Sequence, residues 1–198
     1  MPTNEDVVMF GAHYAKEVVN SYLEYDIPRR LIRYRNAWGI DDYALPEPQK
    51  YLVYEPIALD NWPTLITVVI STNSFDRMMN YGGGDPLYRV SYSMRTYIWA
   101  KTEGSEEVTL MRDRLSTVVR SALLDSPCMK GLSQPVVDIM LDESTMREEF
   151  SDLTLIKGDR VLAGAYIGYD LSLNELVYRQ SIADVTAIET ETINMRGL

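Results

Sequence analysis

The stretch from Leu87 to Ala100 narrows the fold most. Tyr88, Val90, Tyr92, Met94 and Ile98 alternate with Arg89, Ser91, Ser93, Arg95, Tyr97 and Trp99. A period of two places the first set on one face of a β-strand and the second set on the other. Such a strand buries one face only if other elements cover it, so the neighbouring segments decide the architecture. Leu65–Ser71 is β-branched and apolar on both faces, as a central or doubly covered strand must be. Between the two, Phe75–Pro86 carries Gly82, Gly83, Gly84 and Pro86, which predicts an irregular, mobile excursion.

A helix is expected next. Ser105 can cap it, Glu106 and Glu107 suit its first turn, and Asp125-Ser126-Pro127 ends it. Val108, Met111, Leu115, Val118, Val119 and Ala122 form its apolar stripe, with Arg112, Arg114 and Arg120 expected to face outward. Val136–Leu141 and Val161–Leu173 read as further strands. In the second, Gly164 and Gly168 lie opposite the apolar face, a sign of close packing or a bulge. Ser144–Phe150 is acidic and fits no single period.

Ahead of this block, Asn4 to Tyr25 is expected to be helical, with Asn4 as cap and the best stripe at Val7, Phe10, Tyr14 and Val18. Pro28 fits the first turn of a second, short helix reaching Trp38 and stopped by Gly39. Residues 40–63 contain Pro46, Pro48, Pro56 and Pro63 and read as an arm, with a short edge strand around Tyr51, Val53 and Tyr54. The expected organisation is a helical segment (1–39), a proline-rich arm (40–63), a core (64–175) and a C-terminal arm (176–198). The fold class is α+β: N-terminal helices, a mostly antiparallel sheet of about four strands, and one long amphipathic helix packed on it.

Composition bounds the function. A chain of 198 residues has one domain as its default. No apolar run approaches the roughly 20 residues that span a bilayer, and the polar, acidic start is not that of a signal peptide. Cys128 is the single cysteine, so an intrachain disulfide is impossible and synthesis in a cytoplasm is expected. The net charge of −10 opposes any bulk attraction to nucleic-acid phosphates. Residues 1–40 balance Lys16, Arg29, Arg30, Arg33 and Arg35 against Glu5, Asp6, Glu17, Glu24 and Asp26, so the acidic excess lies after residue 40.

Residue types that carry chemistry are scattered. His13 has only Glu17 at a ligand spacing, which reads as a structural or surface histidine. Cys128 has no base beside it in sequence and reads as an inert thiol. Gly82-Gly83-Gly84-Asp85 lacks the Gly-Lys-Ser/Thr of a phosphate loop. Asp142, Glu143, Glu148, Glu149 and Asp152 lack the spacing of a calcium loop and read as a solvated or intersubunit face. No catalytic residue, metal ligand or cofactor site is assigned, and no enzymatic activity is expected.

Surfaces are the better candidates. Phe75, Met78, Met79 and Tyr81 around Gly82, Gly83 and Gly84 are more apolar than a turn requires, and Tyr97 and Trp99 end the polar face of their strand. These are the candidate subunit or partner contacts. Arg29, Arg30, Arg33 and Arg35 form a dense basic patch that could meet DNA phosphates, an acidic partner, or a carboxylate face of an adjacent subunit; placement near a helix C-terminus is the plainer account.

The order of elements resembles the tail terminator proteins of long-tailed bacteriophages. The segments that carry the resemblance are Trp62–Ile70, Tyr88–Ala100 and the helix Glu106–Leu124, and by pattern it extends from Leu65 to Leu173. The arm at 40–63 and the tail after Asn174 depart from a minimal member. The resemblance implies a non-enzymatic virion protein, assembled in the host cytoplasm. It implies a homohexameric ring at the head-proximal end of the tail tube. Its partners would be further copies of itself, the tail tube protein and the head-side connector or stopper. DNA would pass through the channel without specific binding. Another head–tail connector of the neck, or a tail-tube-like subunit, is the alternative; a small hydrolase using acidic residues is a third reading.

Overall fold

The computed structural model of the chain describes residues 11–56, 60–81, 85–129, 139–151, 155–157 and 160–176. These form an α+β fold in which two helices cover one side of an open, mixed sheet. The elements in chain order are α1 (Ala12–Trp38), β1 (Lys50–Leu52), β2 (Thr64–Tyr81), β3 (Asp85–Thr102), α2 (Ser105–Asp125), β4 (Ile139–Phe150), β5 (Leu155–Lys157) and β6 (Arg160–Leu176). The strand order is β1-β2-β3-β6-β4, with β5 pairing the start of β6. Only the β1–β2 pair is parallel. The sheet is therefore larger than the four strands expected.

Where two helices were expected before residue 40, α1 is continuous through Pro28. Its buried residues, Ala15, Val19, Tyr22, Leu23, Ile27 and Leu31, keep one stripe on both sides of the proline. A proline removes one helical hydrogen bond and crowds the carbonyl four residues back. That carbonyl belongs to Glu24, an exposed position. The packed stripe holds the axis across the defect. The stripe itself is rotated from the expected one: Tyr14 and Val18 are only half-buried, and Asn4, Val7 and Phe10 lie outside the described residues. Gly39 does end the helix, at φ 65°, where its N–H reaches the Arg35 carbonyl.

Phe75–Tyr81 also differ from expectation. These residues extend β2 rather than forming an irregular loop, and they pair with β3 as far as Tyr81–Asp85. Three register shifts, at Ile70, Asn73 and Met78, interrupt the ladder. Each inserts a residue and resets the phase of β2, so the segment loses the alternation by which a strand is recognised. Gly82, Gly83 and Gly84 lie outside the described residues. Ser144–Phe150 is also strand, as part of β4.

The core lies between the helices and β3, β6 and the first half of β2. Leu65, Met94, Ile98, Ile167, Leu171 and Leu173 meet Leu23, Ile27, Leu115, Val119 and Leu123 there. The Tyr22 hydroxyl donates to the Ala122 carbonyl at 2.9 Å, tying α1 to α2. The expected apolar stripe of α2 is buried as read. Its start differs, because Gly104 rather than Ser105 is the cap and no side chain caps the helix. Arg112, expected to face outward, is buried instead. It pairs with Asp113, donates to the Ser151 carbonyl and hydroxyl, and stacks 5.1 Å from the Phe150 ring centroid. No helix among the described residues is long and apolar enough to cross a membrane.

Candidate interaction surfaces

The outer half of β2 is the first candidate. β1 pairs only with Thr64–Ile66, so the remainder of that edge has no strand beside it among the described residues. The helix layer also stops short of it. A strand of eighteen residues is about 60 Å long, whereas α1, the helix that packs on β2, spans about 40 Å. Pro63 to Val68 are buried, but Ile70, Phe75 and Met78 are 48%, 65% and 44% exposed. Val90, the strand partner of Phe75, is buried, so the boundary of the core runs between β2 and β3. Two of the three exposed side chains, Ile70 and Met78, sit at register shifts, where a bulge re-aims the side chain. Met79 and Tyr81 continue β2, and their side chains lie outside the described set.

The side of the sheet turned away from the helices is the second candidate. Tyr97 and Trp99 of β3, both half-buried, lie there opposite Tyr166 and Gly164 of β6. The Tyr97 and Tyr166 ring centroids are 5.5 Å apart. Arg95 lies over the Tyr166 ring, 4.6 Å from its centroid, and donates to the Tyr97 hydroxyl at 3.4 Å. Glu149 of β4 accepts from the Tyr166 hydroxyl, which pushes the pKa of that phenol up, and sits 3.9 Å from Arg147. Lys101 is 5.7 Å from the Trp62 ring centroid. A shallow hollow of ≈ 180 Å³ opens among Tyr97, Trp99, Glu149, Ser151 and Tyr166. Sequence reading found Tyr97 and Trp99. Arg95 shares their alternating face; Arg147 and Tyr166, on β4 and β6, join it only through strand pairing and were missed.

The basic patch dissolves on folding. Arg30 is buried between the helices, where it pairs with Asp26 and Asp125 and donates to the Ser121 hydroxyl. Burial alone would lower its pKa, but the two carboxylates more than reverse this and hold its charge firmly. Arg35 donates to the Leu45 carbonyl at 2.9 Å, anchoring the arm. Arg29 stacks on Tyr25 at 3.8 Å, and Arg33 is exposed. The guanidiniums thus do not form one phosphate-facing cluster.

The remaining candidates are dispersed. His13 is exposed near the start of α1 and lies close to Glu175, whose carboxyl pKa is raised by burial against the smaller opposing pull of that histidine. Cys128 is exposed, with its Sγ 3.5 Å from the Met140 sulfur. Of the acidic run, Asp142 and Glu143 are exposed on β4, Glu148 accepts from Ser116 and Arg120, and Asp152 lies outside the described residues. Among the described residues no three His, Cys, Asp or Glu side chains gather as metal ligands would.

Comparison with protein-family models and with curated proteins returns no match.

Proposed function

We propose that this chain is a structural subunit of a long-tailed phage virion: a tail terminator that forms a ring on the head-proximal end of the tail tube. There it ends tube growth and joins the tail to the head-side connector. The observation that carries the reading is the outer half of β2. Ile70, Phe75 and Met78 are exposed along an edge that no strand or helix among the described residues covers. A subunit that works by assembly leaves such an edge for a neighbour to bury.

The magnitudes favour a ring over a simple pair. Three side chains that are already about half-buried contribute about 1 kcal/mol each on full burial, against an association cost of at least about 4 kcal/mol. One such contact is weak. In a closed ring every subunit holds two neighbours, so weak contacts add up. The net charge of −10 supports the same reading, because an acidic ring around a channel repels DNA phosphates and lets the duplex slide.

The deciding experiment combines imaging and light-scattering mass of the purified protein, alone and with isolated tail tubes. Sixfold rings with an open centre, or caps on one end of the tubes, are the expected result. A protein that stays monomeric and leaves tube ends bare would overturn the proposal. Rings that bind the head connector but never a tube would move the chain to another position in the neck.

A further inference from the structure

We infer that the open face of the sheet docks a second copy of this chain, through the acidic end of that copy's helix layer. The inference rests on the self-assembly reading above and adds a contact distinct from the one at the outer half of β2.

Three observations point to it. First, the base of the open face is cationic in an acidic protein. Arg95, Lys101 and Arg147 stand there with Glu149 as the adjacent carboxylate, while the chain carries a net charge of −10. The apolar ground between them is Tyr97, Trp99 and Tyr166, residue types that anchor protein contacts. Second, the complementary surface exists on the same chain. At the start of α2, Asp41, Glu106 and Glu107 outnumber one cation, Arg114 (which donates to the Ala44 carbonyl), around a hollow of ≈ 580 Å³ edged by the exposed Tyr43 and Leu110. Glu103, directly before the helix, adds to the charge. Third, the two surfaces are distinct although both lie at the end where β3 leads into α2: the cations stand on the sheet face turned away from the helices, and the carboxylates stand at the start of α2 in the layer on the other face. A contact between unlike surfaces runs head to tail, and it closes into a ring when the rotation allows. Continuation of the sheet through β4 is a poorer route, since Asp142, Glu143, Glu148 and Glu149 line that edge strand and oppose strand addition.

The test is charge reversal on each surface, read by sedimentation velocity and light-scattering mass of the full-length protein. Arg95→Glu/Arg147→Glu and, separately, Glu106→Lys/Glu107→Lys are each expected to weaken self-association by at least about tenfold, because like charges then face each other. All four substitutions in one chain restore opposite signs and are expected to recover association. The milder Arg95→Gln/Arg147→Gln pair, with circular dichroism melts, separates a lost contact from a lost fold. If either reversed variant associates as the wild type does, or if the fourfold variant fails to recover, this assignment of surfaces is overturned while the ring reading stands. A wild-type chain that associates neither in solution nor on tail tubes overturns both.

Discussion

The six-membered ring of Trp99 lies over Gly164, its direct partner across β3 and β6. A Cβ at residue 164 would fall 2.8 Å from Cζ3 of the indole, closer than real contacts allow. The glycine is therefore required by what crosses it, not by backbone conformation. Gly164→Ala is expected to destabilise the fold by about 1–3 kcal/mol, the usual range for forced overpacking. The same change in a Trp99→Ala background should cost far less. Urea melts of the single and double variants check this. Additive effects would show that the indole does not depend on the glycine.

Arg30 offers a second test. It is buried between α1 and α2 and shared by Asp26, Asp125 and Ser121. Arg30→Ala strands a partly buried carboxylate and is expected to lower stability by about 3 kcal/mol in a urea melt. The pH dependence has a definite sign. The hydrogen bond and charge of Arg30 hold the Asp125 pKa below its ordinary value. The resulting stabilisation is full above the ordinary carboxylate range and is lost as pH falls through the lowered value. Removing Arg30 should flatten the acid limb of the wild-type stability curve.

The opposite sign is expected at Glu175. Its carboxyl is buried beside Tyr92, whose hydroxyl donates to it, and desolvation raises its pKa despite that bond and the nearby His13. The folded state thus favours the protonated form. The contribution to stability is greatest below the ordinary carboxylate range and disappears as pH rises through the raised value. Glu175→Gln keeps an acceptor for Tyr92 without the charge. It is expected to be more stable than the wild type at neutral pH, by about 1 kcal/mol, and indistinguishable from it in acid. Thermal melts across that range decide the point.

Phe75→Ser and Met78→Ser probe the outer half of β2 from the side of folding. Both side chains face solvent in the isolated chain. Each substitution is expected to change monomer stability by no more than about 0.5 kcal/mol, the range for exposed positions, while weakening ring formation or tube binding. A large loss of stability would mean that these side chains already have partners within the subunit.

The elements legible beforehand were those whose own period matches their burial. The alternation of β3 and the stripe of α2 are visible because a covering layer lies on one side of each, so polarity changes with every turn or residue. β2 was read correctly only as far as its first bulge, since the shifts at Ile70, Asn73 and Met78 reset its phase. The surface candidates divided in a similar way. Tyr97 and Trp99 stood out as aromatics on a polar face that also carries Arg95, but Arg147 and Tyr166 come from other strands and became their neighbours only through pairing. The arginines at 29–35 looked like one patch because a sequence shows proximity along the chain, not the direction in which each side chain leaves the helix.

Local pattern by itself determined the α+β class, the strand Leu87–Ala100, the apolar stripe of α2 and the glycine that stops α1, because each follows from periodicity or from a single residue's backbone freedom. Tertiary structure alone decided the rest. Packing on both sides of Pro28 carried α1 through a residue that would otherwise break it, and Asp125, from the far end of α2, fixed Arg30 between the helices. The length of the hairpin against the shorter helices left Ile70, Phe75 and Met78 outside the core. These outcomes depend on contacts between residues far apart in the chain, whose energies exceed local preference and leave no local trace.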